Sequence, residues 1–155
     1  MQRNLPLTNS IEAWTKKYLP VLDTVNASDP TLAVIDHSIT KWLGLKKKIL
    51  TECELFVCET INRRMVLKSR HTLDYVNLDA ETCSLCIHAK IIAADKSQCQ
   101  YCPLTMYLKT TCYNEWFYFA KHRKPKPMIR LLKQLRRVYL MSQIPYTKGT
   151  ICRPD

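Results

Sequence analysis

At 155 residues the chain has room for one compact domain and little for two independent cores, and 46% apolar with 24% charged residues is an ordinary globular composition rather than that of a disordered chain. Its only two glycines, Gly44 and Gly149, exclude glycine-spaced phosphate loops, dinucleotide fingerprints and nucleophile elbows, and with them most nucleotide-using enzymes. The net charge of +11 is unevenly placed: residues 1–60 hold seven Lys/Arg against seven Asp/Glu, so the whole excess lies in residues 61–155, where an anionic partner would relieve it.

In chain order, Ile11, Trp14, Tyr18 and Leu19 fall at helical intervals after Ser10, which predicts a short first helix interrupted by Pro20. A second helix starts at Asp29-Pro30, where the carboxylate caps exposed amides and proline suits the first turn. Its stripe runs through Leu32, Ile35, Ile39, Trp42, Leu43, Leu45 and Ile49 to about Leu50. Gly44 costs this helix about 1 kcal/mol relative to alanine, so its presence is either tolerated or marks close approach by another backbone. After Cys58, β-branched and aromatic residues in Met65–Leu67 and Thr72–Leu78 predict two short strands, as in a hairpin. The last helix opens at Pro127 and lines Met128, Leu131, Leu132, Leu135, Val138 and Tyr139 on one face. Beyond Met141, the tail with Pro145, Gly149 and Pro154 reads as irregular.

No apolar run approaches the roughly 20 residues that cross a bilayer, and Met1 to Ser10 lacks the hydrophobic stretch of a signal peptide. The expectation is a cytosolic protein with no membrane contact and no small-molecule substrate. In a reducing compartment the eight cysteines point to metal ligation before disulfides. Cys83-Ser-Leu-Cys86 and Cys99-Gln-Tyr-Cys102 are two C-x-x-C pairs twelve residues apart, a spacing that suits a structural, tetrahedral Zn2+. Cys112 is an alternative fourth ligand, and His88 and His122 lie within reach in sequence. An iron–sulfur cluster and reduced, metal-free thiols are the competing readings. Four protein sulfurs leave no open position for water, so such a site folds the chain and performs no catalysis. The order C-x-x-C-P and His88-Ala-Lys90 also fail the zinc-deaminase pattern. Cys53, Cys58 and Cys152 are not at ligand spacing and read as buried small residues or exposed thiols.

Asp36-His37-Ser38-Ile39-Thr40-Lys41-Trp42-Leu43-Gly44-Leu45, then Cys83-Ser-Leu-Cys86, Cys99-Gln-Tyr-Cys102-Pro103-Leu104 and Cys112 resemble a loose family of small, mostly uncharacterised cysteine-rich proteins encoded by tailed bacteriophages. The resemblance spans roughly Asp36 to Cys112 and implies a phage origin and a metal knob, but no reaction. It draws attention to Asp36, His37 and Lys41, read here as the polar side of the second helix, with His37 and Lys41 as i,i+4 neighbours and Trp42 in the core.

Lys121 to Arg137 contains eight basic residues, and no acidic residue occurs between Trp116 and Pro154. Lys121, His122, Arg123, Lys124 and Lys126 lead into Arg130, Lys133, Arg136 and Arg137, preceded by Tyr113, Trp116, Phe117, Tyr118 and Phe119. Cations interleaved with rings suit a nucleic-acid surface, although Trp116, Phe117 and Phe119 are expected to pack in the core. No helix-turn-helix or C2H2 spacing is present, so structured RNA, above all ribosomal RNA or the ribosome in a bacterial host, is favoured over sequence-specific DNA. Two alternatives stand: a protein-binding inhibitor of a host enzyme or defence system, and a metal-dependent nuclease. The nuclease would need a second site among Asp74, Asp79, Glu81, Asp95 and Glu115, which show no ligand spacing.

The whole is expected to be an α+β, mainly helical single domain. A net-neutral helical part covers 1–60, short strands and a zinc knuckle knob cover 61–115, and a basic amphipathic helix and tail cover 116–155.

Overall fold

In the computed structural model, which describes residues 10–80, 82–93 and 98–144, the pattern around Trp14 gives helix α1 (Ser10–Tyr18). Trp14 is buried, and its Nε1 donates to the Gly44 carbonyl at 2.8 Å. Helix α2 (Pro30–Leu43) begins as expected: Asp29 caps it by accepting from the Leu32 amide at 3.0 Å, with proline in the first turn. Such a cap stabilises a helix by about 1 kcal/mol.

The apolar stripe suggested one helix to Leu50, but it divides. The chain turns through Gly44 to Lys46, the latter in extended backbone (φ −63°, ψ 141°), before α3 (Lys47–Glu52). The indole bond draws the Gly44 carbonyl out of the helical ladder, and the Tyr18 side chain occupies the space beside its Cα. The close approach at Gly44 is therefore by side chains, not by another backbone.

The sheet has three strands rather than two: β1 (Leu55–Glu59), β2 (Met65–Ser69) and β3 (Tyr75–Asn77), an antiparallel meander in that order. Register runs from Leu55 opposite Ser69 to Glu59 opposite Met65, and Val66 lies opposite Asn77. β1 lies before the stretch after Cys58 in which the sequence pattern places its strands, and it pairs with β2 along its whole length. Buried Met65, Val66 and Leu67 hold the central strand in the interior.

The cysteine-rich stretch is also helical, with α4 (Ser84–Ala93), a 3-10 turn (Gln98–Tyr101), α5 (Pro103–Leu108) and α6 (Tyr113–His122). Helix α7 (Lys126–Ser142) buries Met128, Ile129, Leu132, Leu135 and Tyr139. Each such apolar side chain contributes about 1.5–3 kcal/mol on burial, which fixes α7 against α2. The Tyr139 hydroxyl donates to both Asp29 oxygens at 2.7 and 2.9 Å, joining the N-terminus of α2 to α7. Trp42 meets Phe119 edge-on at 4.8 Å and Trp116 at 6.0 Å, which docks α6 on α2. The architecture is α+β and mainly helical. The tail from Pro145, including Gly149, Cys152 and Pro154, lies outside the described residues. Among the described residues no helix is long and apolar enough to cross a membrane.

Candidate metal centre and its basic flank

Three of the cysteines stand where helices begin. The carbonyl of Cys83 accepts the first bond of α4, from the Ile87 amide (2.9 Å). Cys102 does the same for α5, from Met106 (3.0 Å), and Cys112 for α6, from Trp116 (2.9 Å). Cys86 follows on the first turn of α4, where its thiol hydrogen-bonds to that of Cys83. Cys99 lies in the 3-10 turn, its sulfur 3.7 Å from the Tyr113 hydroxyl. All five line one cavity of about 330 Å³, walled by Trp42, Leu104, Trp116, Met128 and Leu132 among others. The fold thus brings together the four expected ligands and the alternative, Cys112.

Five thiols around one cavity exceed the four soft donors a tetrahedral zinc needs, so the donor chemistry fits. Among the described residues no three Cys, His, Asp or Glu groups already stand in coordinating geometry. A tetrahedron would close by side chains turning inward from the cavity wall. His88 and His122 do not line this cavity. His88 borders a separate one with His37, and His122 is exposed at the end of α6, its ring 4.5 Å from that of Tyr118. Cys53 and Cys58, half-buried, also lie away from the cavity lining.

Lys41 departs furthest from expectation. It is not on the polar side of α2 but buried, at 1% exposure, beside the thiols. Its ammonium donates to the Leu78 carbonyl and to Thr82 Oγ1, both at 2.9 Å. Burial pushes its pKa down, while Cys83, Cys86, Asp79 and Cys112 push it back up. A buried ammonium is costly without negative charge nearby. A zinc bound to four thiolates carries a net charge of −2 and would supply that charge. Lys41 falls on a buried stripe with Val34, Ser38 and Leu45 at helical spacing. Asp36, by contrast, pairs with Arg136 at 2.7 Å, and His37 Nε2 donates to the Pro20 carbonyl at 2.7 Å.

The thiols are not equivalent. The hydrogen bond from Cys86, with help from the Lys41 charge, lowers the Cys83 pKa to about 6 despite its burial. The same hydrogen bond, together with desolvation, pushes Cys86 upward. Burial raises Cys102 and Cys112 to about 11. Cys83 therefore yields a thiolate more readily than Cys86, Cys102 or Cys112, and thiolate is the form that binds metal.

The basic flank starts from this cavity. Helix α6 runs from Cys112 to Arg123, where the chain takes a left-handed turn (φ 57°) into α7. Along α7, Lys126, Arg130, Lys133 and Arg137 are exposed at helical spacing, a one-sided cationic row about 16 Å long at the ordinary helical rise. Lys121, His122 and Lys124 extend it, with Arg123 half-buried between them. Arg136 lies beside Lys133 and Arg137 but is paired with Asp36. The aromatic expectation holds in part: Phe119 is fully buried and Trp116 packs against the core, but Phe117 is 66% exposed. No protein-family model, curated protein or solved structure matches the chain.

Proposed function

We propose that this protein is a non-catalytic, zinc-stapled RNA-binding protein, encoded by a bacteriophage and acting in the host cytoplasm. Its ligand in this reading is structured RNA, foremost ribosomal RNA or the ribosome. The observation that carries the reading is that one helix joins both halves. Helix α6 begins at a cavity cysteine, Cys112, and ends in the cationic corner at Arg123, while Met128 and Leu132 of α7 wall the same cavity. Metal bound by Cys83, Cys86, Cys102 and either Cys99 or Cys112 would therefore fix the two helices that display the charge.

The row Lys126, Arg130, Lys133 and Arg137 supplies the phosphate contacts, and its even spacing on one face supports recognition by shape and charge rather than base reading. With six to eight phosphates engaged, log affinity falls with log salt at a slope of about −4 to −7.

The test has two arms. Elemental analysis of the purified protein should find one zinc per chain; metal-free, folded material refutes the staple. Reversing Lys124, Lys126, Arg130 and Arg137 to glutamate should abolish co-sedimentation with RNA while the melting temperature holds, and unchanged association refutes the RNA surface. A second reading, contact with a host protein, is favoured by exposed Ile91, which lines a cavity with Leu19, Leu22 and Ile87, and by exposed Val21 and Val25 in the neighbouring chain segment. A host complex that survives complete nuclease digestion would support it.

A further inference from the structure

The outer half of α6 is unlike an ordinary solvated helix face. Residues 113, 117 and 121 succeed one another at i,i+4 spacing, as do 114, 118 and 122. These two rows present Tyr113 (54% exposed), Phe117 (66%) and Tyr118 (40%) among Asn114, Lys121 and His122. Glu115, the helix's one acid, is turned away with Oε2 buried. Trp116 and Phe119 supply the packing against Trp42 on the opposite side, so the exposed rings are not needed to hold the helix down. Exposed aromatic rings leave apolar surface in water, a cost that is relieved when something flat or apolar covers them. The charge around them decides what that is. Lys121, Lys124 and Lys126 continue directly from this face with no exposed acid on it, a setting complementary to phosphate and not to a basic or neutral protein surface.

We infer that the outer face of α6 is a stacking platform for unpaired bases, with Phe117 and Tyr118 as the base-contacting rings and Lys121 on the adjoining phosphate. This deepens the RNA-binding reading and rests on it. Rings can stack only on bases that are not already stacked within a duplex, so the platform selects loops, bulges or single strands while the α7 row accepts any phosphate backbone. The Tyr118–His122 ring contact at 4.5 Å holds one ring of the platform in place.

The experiment compares binding of a labelled polyuridine oligonucleotide and a blunt RNA duplex of equal length, by fluorescence anisotropy across a salt series. The wild-type, Phe117→Ala, Phe117→Trp and Lys124→Gln proteins are used as full chains. Phe117→Ala should lower affinity for polyuridine by about ten- to a hundredfold, leave duplex affinity and both salt slopes unchanged, and be rescued by Phe117→Trp. Lys124→Gln should instead reduce the salt slope on both ligands. Because Phe117 is exposed, its removal should leave the melting temperature unaltered, which separates lost stacking from lost fold. Equal affinity of wild type and Phe117→Ala for polyuridine, or equal loss on both RNAs, overturns the platform while leaving the RNA reading intact. Failure of the wild type to bind either RNA at low salt overturns both.

Discussion

Replacing Gly44 by alanine pits two effects of opposite sign against each other. By helix propensity alone the substitution stabilises by about 1 kcal/mol, and the backbone there (φ −68°, ψ −12°) accepts any residue. An added Cβ would, however, stand 2.4 Å from Tyr18 Cγ and 2.6 Å from Tyr18 Cβ, roughly 1 Å inside ordinary carbon contact. Those atoms are the root of the ring, so relief requires α1 itself to move. That helix is tied down by the Trp14 bond to the Gly44 carbonyl at 2.8 Å and by burial of the Trp14 ring in the core. Overpacking of this kind costs about 1–3 kcal/mol, more than propensity returns. The expected net loss is about 1–2 kcal/mol, seen as a melting temperature about 2–8 °C lower. Thermal and denaturant unfolding of wild type, Gly44→Ala, Tyr18→Ala and the double variant would measure it. Once Tyr18 is truncated, alanine at 44 should become neutral or stabilising, giving a coupling of about 1–3 kcal/mol. If Gly44→Ala stabilises the wild type, or costs the same with Tyr18 removed, the steric argument is wrong.

The remaining predictions concern the site, the flank and pH. Lys41→Met removes the buried positive charge beside the thiols and should weaken zinc binding by about ten- to a hundredfold in chelator competition; unaltered affinity would separate Lys41 from the metal. Arg123→Gly relieves a left-handed backbone while deleting a cation, so stability should rise by up to about 1 kcal/mol as the RNA salt slope shrinks by about 0.7–0.9. A variant that is neither more stable nor less salt-sensitive contradicts this assignment. Burial and the hydrogen bond to Asp29 raise the Tyr139 pKa to about 12. Because the folded-state value lies above the unfolded value near 10, this contribution is complete below pH 10 and is lost as pH climbs toward 12. Tyr139→Phe should flatten stability in that alkaline window, read from denaturant midpoints against pH. Finally, Cys112→Ser should destabilise more than Cys99→Ser even without metal, since Cys112 packs against the core and Cys99 bonds to an exposed tyrosine; equal melting temperatures would count against the distinction.

Local chemistry in the sequence was enough for the elements whose signals are short-range. Asp29-Pro30 starts α2 because a carboxylate and a fixed φ act on the adjacent turn, and the apolar period of 128–139 builds α7 because one face must be covered. The two C-x-x-C pairs and the one-signed charge after Trp116 were likewise visible without coordinates. What needed the tertiary structure was every choice between equivalent local options. The stripe from Leu32 to Ile49 breaks at Gly44 because a tryptophan thirty residues upstream takes its carbonyl. Strand β1 exists because β2 offers it a ladder, which no window around Leu55 can reveal. Phe117 and Phe119 are both phenylalanines on one helix, and only the position of Trp42 decides that one is core and the other is surface. Lys41 carries its charge on a buried stripe, and that becomes intelligible only when thiols from α4, α5 and α6 converge on the same cavity. Periodicity states which faces a helix has; contacts distant in sequence decide what each face meets.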